Sequence, residues 1–439
     1  MEKTKLSKKF WISLWIFSLT GQIAWVVENM YFNVFIYKMF NASAESISYM
    51  IAASAVSATV TTVIIGALSD KVGKRKIFIC GGYIIWGITI ASFAFIRLDT
   101  ISSLFPMAAS ASAIAITLVI VMDCIMTFFG STANDACFNA WLTDMTDSTN
   151  RGTAEGINSM MPLLAMLAVF GGFMSFDLNE AKSWTAIYLI IGIAVIVIGI
   201  LGIFLIEEKR EKIQEQQNYF VNIIYGFRPS VIKKNANLYV TLAAFALFGT
   251  SIQIFMPYLI LYYNVSLGME NYVLIMAPAV IIAAVFTALY GKVYDKKGYR
   301  KSVLPTLILL CIGYVVMCLF KSTAPVFVGS LFVIGGYLAT AAVFGAMIRD
   351  CTPEGKAGQF QGLRIVGQVL IPGIIGPAIG ARVLKNAEMI VNDDGTSSFI
   401  PNEGIFVAAL IVAIALIAVL FVQFAFMKKY NGDTNKKYE

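Results

Sequence analysis

Glu28, Asp123 and Asp135 each fall inside a long apolar run. A charge held at the centre of a bilayer costs about 2.5–3.5 kcal/mol even on the lenient scale, so an acid there marks function by default. The chain holds no histidine, which removes the usual proton shuttle and the usual zinc or haem ligand. Any proton or cation chemistry must therefore use carboxylates. A proton needs one buried acid, whereas sodium, like other hard cations, needs several hard oxygens. Acids this few, set among amides and hydroxyls, suit the proton slightly better.

The neighbours of these acids are polar as well. Gln22, Asn29 and Asn33 are spaced seven and four residues apart and so share one helix face, with Glu28 about 100° from Asn29. Such a stripe lines a cavity or hydrogen-bonds to a neighbouring helix. The run that carries Asp123 and Asp135 also offers Thr127, Asn134 and Asn139. Asp123 lies twelve residues before Asp135, about 18 Å along a helix, where solvation near the end of the run is the alternative to a site. A second run offers Ser54, Ser57, Thr59, Thr61 and Thr62 but no carboxylate. Further on, Tyr258 and Tyr262 share a face, and amphipathic rings of this kind can stack on a sugar. Tyr262 and Tyr263 read rather as an interfacial aromatic belt, and Trp25 and Trp141 as packing groups.

The framework that holds these residues follows from composition. The 439 residues are 58% hydrophobic and only 13% charged, against about 45–50% and about 25% in soluble domains. A soluble enzyme, a disordered chain and a nucleic-acid binder are excluded. A membrane helix needs about 20 apolar residues, and twelve stretches qualify: 11–38, 46–68, 77–97, 112–142, 154–176, 184–206, 237–263, 271–293, 303–320, 325–347, 360–383 and 404–427. The first is too long for a signal peptide and has no small-residue cleavage site. Of the 33 Lys and Arg, only Lys38, Arg97, Lys182, Lys321, Arg382 and Lys385 fall on the side opposite the N-terminus. The positive-inside rule then predicts that both termini are cytoplasmic. The six cysteines form no CxxC pair and read as small buried apolar residues.

The spans are duplicated. A polar stretch, 207–236, divides them six and six, which predicts an N-terminal bundle over 1–206, a cytoplasmic linker that lies partly on the membrane surface, and a C-terminal bundle over 237–439. The loop Gly66-Ala-Leu-Ser-Asp70-Lys-Val-Gly73-Lys-Arg75-Lys76 returns as Gly291-Lys-Val-Tyr-Asp295-Lys-Lys-Gly298-Tyr-Arg300-Lys301, each key residue at an offset of 225. Thr143-Asp144 and Arg349-Asp350 form a weaker echo after spans four and ten. The expected fold is all-α, with twelve transmembrane helices in two pseudo-symmetric six-helix bundles.

The repeated Gly-x-Leu-x-Asp-x-x-Gly-x-Arg-Lys loop and the twelve-span plan resemble the major facilitator superfamily over essentially the whole chain. Within it, Asn134-Asp135-Ala-Cys-Phe138-Asn-Ala-Trp-Leu142-Thr143-Asp144, followed by Arg151-Gly152, is similar to the glycoside–pentoside–hexuronide:cation symporters, of which melibiose permease is the familiar member. The resemblance implies secondary transport by alternating access around a midplane site between two rocking halves. It implies a gating role for Asp70, Arg75, Asp295 and Arg300, joined by Asp144, Arg151 and Asp350. It also makes Asp135 the acid that contacts solute and cation. The substrate- and ion-binding candidates are Glu28, Asn29, Asn33, Asp123, Asn134, Asp135, Asn139, Tyr258 and Gln368.

The sequence departs from that branch in three places. The paired acids of its second span fall near Ala58 and Thr62, the sugar-binding arginine of its fifth near Asn158 or Ser159, and the lysine of its eleventh at Gln368. Span eleven is rich in Gly and Pro, with Gly171-Gly172 of span five as its counterpart. The chain shows no P-loop, GxSxG or HExxH motif, so neither ATP-driven transport nor hydrolysis is expected. The expectation is a monomer in the plasma membrane that takes up a sugar or glycoside with a proton or sodium ion, with no other cofactor or metal and no nucleic-acid partner. An exporter or uniporter of another solute, or a non-transporting receptor or lipid scramblase on the same scaffold, are the alternatives.

Overall fold

The computed structural model describes residues 6–106, 110–146, 150–208, 226–352, 357–392 and 395–430. It is nearly all helical and divides into two compact units, Met1–Val221 and Asn222–Glu439.

The first unit contains α1 (Lys8–Phe40), α2 (Ala44–Val72), α3 (Arg75–Phe95), α4 (Ala111–Met145), α5 (Arg151–Phe173) and α6 (Ala181–Leu205). Short polar signals set the ends. Ser7, Ser43 and Ser110 accept a backbone N–H in the first turn of α1, α2 and α4. Gly73 ends α2 at φ 66°, a conformation that glycine reaches without strain. The apolar surface is turned outward: Val56, Val60 and Ile64 on α2, and Ile193 and Val197 on α6, are exposed at helical spacing, as a lipid-facing stripe requires. The interior is aromatic, with Tyr83, Trp86, Trp184 and Tyr188 fully buried.

The second unit contains α7 (Ala236–Ser266) and then one continuous helical element, Val273–Leu319. Its 47 residues run about 70 Å, twice what a bilayer needs. Gly298 breaks it at φ 74°, giving α8 (273–297) and α9 (299–319). Then come α10 (Thr323–Cys351), α11 (Gly362–Leu384) and α12 (Gly404–Ala425). Among the described residues eleven helical elements are long and apolar enough to cross a membrane, and the broken one supplies two spans, so the twelve-span plan holds. A small antiparallel hairpin, β1 (Met389–Val391) and β2 (Ser397–Phe399), joins α11 to α12 and was not expected from the sequence.

Glycines allow the closest helix approaches. A Cβ on Gly87 of α3 would lie 2.5 Å from the Gly192 carbonyl of α6. On α11, a Cβ on Gly376 would lie 2.5 Å from Gln253 Cβ and one on Gly380 2.5 Å from the Ile254 carbonyl, both on α7. Gly171 and Gly172 have nothing within 4 Å, so the expected counterpart of the α11 glycines is corrected: tight packing in the first unit uses α3 and α6. None of the six cysteines forms a disulfide. Most of the stretch between the bundles, 209–225, lies outside the described residues. Its two ends pack on different units. Glu207 accepts the Ser7 hydroxyl at 2.5 Å, while Val231 packs with Leu238, Leu242, Ile348 and Phe360.

Candidate functional site

The site of the first unit is built on helix irregularities. Residues Val27–Tyr31 of α1 and Ser131–Phe138 of α4 are wound as π-helix, as are Tyr262–Ser266 of α7 and Val366–Leu370 of α11. A π turn inserts a residue and rotates the side chains beyond it, and such turns frequently mark functional sites. Glu28, Asn29, Asn134, Asp135 and Gln368 all stand on them. This corrects the expectation that Asn29 and Asn33 share a face: Asn29 is exposed and Asn33 fully buried, because the π turn breaks the 3.6-residue period between them.

Glu28 reaches across to α2 and α4. Its Oε1 accepts the Ser54 hydroxyl at 2.7 Å and the Thr127 hydroxyl at 3.0 Å, and those two hydroxyls are 2.9 Å apart. Its Oε2 is buried and has no hydrogen-bond partner. Asp123, one turn before Thr127, is 2% exposed, and its Oδ1 also has none. Solvation near the end of the run is thus excluded for Asp123. The described ion pairs are Arg75–Asp144, Arg97–Asp99 and Lys321–Glu403, so no basic side chain neutralises Glu28, Asp123 or Asp135.

Asp135 has a separate set of contacts. Its Oδ2 accepts the Ser131 hydroxyl at 2.9 Å and its Oδ1 the Asn134 amide at 3.3 Å. Asn134 Oδ1 lies 3.2 Å from the Tyr83 hydroxyl of α3, which donates to the Phe17 carbonyl at 2.8 Å. Gly21 permits this approach, since a Cβ there would sit 2.5 Å from Asn134 Oδ1. Asn33 donates to the Asn29 carbonyl at 3.0 Å and leaves its own Oδ1 unpartnered, while exposed Asn139 donates to the Asp135 carbonyl at 3.1 Å. Sequence reasoning missed Tyr83, Ser131 and Tyr188, because hydroxyls in apolar runs are too common to stand out. Near the positions where the resembling branch carries acids, Thr62 and Ala58 are buried. Asn158 accepts the Ser18 hydroxyl at 2.5 Å, tying α5 to α1. Among the described residues no three His, Cys, Asp or Glu side chains gather to hold a metal ion.

In the helices of the second unit the acids are Asp295 and Asp350, in the last turn of α8 and of α10, and none lies deeper. Tyr258 is fully buried beside Gly380 and Phe399. Tyr262 and Tyr263 are buried too, where an interfacial belt was expected. The Tyr262 hydroxyl donates to the Met317 carbonyl at 3.3 Å, and the Tyr263 hydroxyl bonds to Ser330. Packing inside the unit supplies the polar partners that the interface would otherwise give. Gln368 is half-buried on its π turn.

The repeated loops differ in their contacts. Arg75 pairs with Asp144 at 3.1 Å and donates to Ser69 at 2.6 Å. Its counterpart Arg300 lies over the Phe424 ring, 5.5 Å from its centre, while Asp350 accepts the Tyr294 hydroxyl at 2.8 Å. Asp295 is exposed. The side chains of Asp70 and Arg151 lie outside the described residues.

Two units of six spans each, the first with acids buried inside it, make this a multi-pass membrane protein. The sequence profile of the Major Facilitator Superfamily matches residues 10–377 and again 280–437. The chain belongs to that superfamily. No curated protein matches it in sequence. Its fold is similar to a mutant of the nucleoside transporter NupG, at 12% identity and TM-score 0.69, over 94% of this chain and 98% of that one. It is similar to a bacterial homologue of the human lysosomal transporter Spinster, at 15% identity and TM-score 0.69, over 98% and 100%. The xylose transporter XylE from E. coli matches at 14% identity and TM-score 0.67, over 98% of each chain. At these identities the likeness establishes the fold alone.

Proposed function

We propose that the chain is a secondary transporter of the plasma membrane, with both termini cytoplasmic, that takes up a sugar or glycoside together with a cation by alternating access. The proton is favoured over sodium. The reading rests on one observation: Glu28 and Asp123 are buried in a membrane bundle with an unpartnered oxygen each and no basic neighbour. Such groups are too costly to keep for packing alone. Asp135, Asn134, Asn139, Asn29 and Asn33 supply amide and carboxyl groups suited to sugar hydroxyls, with Gln368 and Tyr258 as the candidates of the second unit. The loop ions Asp70, Arg75, Asp144, Arg151, Asp295, Arg300 and Asp350 form and release contacts as the cytoplasmic end closes and opens. A D-xylose–proton symporter and a nucleoside transporter share this fold, which supports a polar solute.

The test is uptake of labelled sugars and glycosides into proteoliposomes, with imposed pH or sodium gradients. Accumulation driven by an inward proton gradient is expected. Efflux alone would favour the exporter. Equilibration without accumulation under either gradient would favour a uniporter.

A further inference from the structure

We propose that the first unit binds one phospholipid of the outer leaflet, its phosphate held by Lys38 and Arg97 in a cavity at the outer ends of α1, α3 and α6. The inference goes beyond the transport reading and takes from it only which face is the outer one.

The cavity measures about 240 Å³ and lies wholly within the first unit, lined by the last turns of α1, the end of α3 and the first turns of α6. Its apolar wall is Phe35, Phe40, Phe93 and Trp184, all buried. Phe35 meets Phe40 and Trp184 with ring centres 5.1 and 5.2 Å away, and the Trp184 indole donates to the Leu178 carbonyl at 2.9 Å, so the wall is packed in place. Two cations line the same space. Lys38 Nζ donates to Asn179 Oδ1 at 2.9 Å. Arg97 donates to the two carboxylate oxygens of Asp99 at 3.1 and 3.2 Å through Nε and one Nη. Its planar fork carries further N–H groups, the geometry that phosphate recognition uses. Asp99 is the one acid against these two cations, so the lining is net positive. Exposed Lys182 follows the lining residue Ala181.

Three observations select a lipid over a soluble anion. Lys38, Arg97 and Lys182 are three of the six Lys and Arg on this side of the chain. Basic residues are scarce on the outer side of a membrane protein, so three at one cavity call for a negative partner. Each lies within a few residues of the end of a span, the depth of lipid phosphates. Apolar surface adjoins them. Phe95 is exposed two residues before Arg97, and Leu104 and Phe105 are exposed at the end of the short helix Leu98–Leu104 that carries Asp99. Acyl chains gain from covering such surface and a soluble anion does not. The volume is below the about 300–1,000 Å³ of pockets that enclose a whole drug-sized ligand, which suits a headgroup whose chains stay in the bilayer. None of the solute or gating candidates above lines the cavity.

Full-length protein in detergent is titrated with dioleoylphosphatidylglycerol and read by native mass spectrometry, which counts the lipids bound. Wild type should take up one lipid tightly. Dioleoylglycerol, with the same chains and no phosphate, should bind at least about ten-fold more weakly. Lys38→Gln and Arg97→Gln should each weaken the first lipid several-fold, and together by about ten-fold or more. Lys385→Gln, a cation of the same face outside the cavity, should leave it unchanged. Thr185→Trp fills the cavity while both cations remain, and should remove the tight site. Should the double variant not fold, Thr185→Trp decides alone. Equal affinity of wild type and the double variant would overturn the proposal. So would dioleoylglycerol bound as tightly as the phospholipid, or a tight site kept in Thr185→Trp. Added sn-glycerol 3-phosphate should not displace the lipid at matched concentration; displacement would refute the lipid and give the cavity to a soluble phosphate ester. The readout needs no solute. Tight phosphate-dependent binding in a protein that moves no sugar keeps this inference and sinks the transport reading, and sugar uptake without such binding does the reverse.

Discussion

Arg75 and Asp144 join the loop after α2 to the end of α4, with the guanidinium Nε 3.1 Å from the carboxylate and the arginine held further by the Ser69 hydroxyl at 2.6 Å. The equivalent arginine, Arg300, has no described acid partner and rests on Phe424 instead. The same loop sequence thus makes an ion pair in one unit and a cation–π contact in the other. The carboxylate side of the pair is 43% exposed, which limits its worth to about 0.2–1 kcal/mol. A role in stability alone is therefore small.

Arg75→Asp and Asp144→Arg are each expected to slow uptake several-fold while changing thermal stability little. The double swap restores the pair with reversed polarity and should recover part of the rate. Uptake rates and unfolding midpoints of the three variants check this. A double swap no faster than the worse single variant removes the gating role.

The glycines of α11 predict stability directly. Gly376→Ala places a Cβ 2.5 Å from Gln253 Cβ and 2.9 Å from the Thr250 carbonyl oxygen, and Gly380→Ala places one 2.5 Å from the Ile254 carbonyl oxygen. Backbone oxygens cannot step aside cheaply, so each should cost about 1–3 kcal/mol. Gly172→Ala meets nothing within 4 Å and should be neutral or slightly stabilising. Thermal unfolding in detergent separates the two classes, and equal midpoints for Gly376→Ala and Gly172→Ala would contradict the packing.

Much of this was legible in the sequence because lipid enforces it. A bilayer demands runs of apolar residues, so twelve spans and their division show in composition alone. The repeated loop placed Gly73 and Gly298 where the structure takes a positive φ, which glycine reaches without strain. Faces were not legible. The stripe through Gln22, Asn29 and Asn33 assumed a regular period, and across the π turn at Val27–Tyr31 Asn29 is exposed and Asn33 buried. Nothing in the residue types Val-Glu-Asn-Met-Tyr marks a π turn, because it depends on what packs against it. For the same reason the depth of Asp123 and the burial of Tyr262 and Tyr263 emerged only from their neighbours on other helices.

One polar cluster of the second unit is structural. Gln423 donates to the Thr241 hydroxyl at 2.9 Å and accepts the Tyr299 hydroxyl at 3.4 Å, linking α12 to α7 and α9 in a fully buried cluster. Gln423→Ala leaves those partners short of a bond and should cost about 1–3 kcal/mol. The ratio of accumulated to external solute, measured at equal amounts of folded protein, should be unchanged. A fall in that ratio without loss of stability would move Gln423 into the coupling machinery.

Glu28 and Asp135 separate energy input from recognition. E28Q removes one of the two buried acids on which the coupling reading rests, so accumulation driven by a pH gradient should fall. Exchange of labelled for unlabelled solute needs no net proton movement and should persist. Asp135, held by Ser131 and Asn134 at 2.9 and 3.3 Å, faces a different set of donors. Its replacement by asparagine keeps the shape but removes a charged acceptor, and the KM for the solute should rise by ten-fold or more, since a hydrogen bond to a charged group contributes about 1.5–3 kcal/mol. Proteoliposomes that carry each variant, assayed for accumulation and for exchange, read the two effects separately. If E28Q still accumulates solute against a gradient, or if Asp135→Asn loses accumulation while its KM stays fixed, the assignment of the two acids must be exchanged.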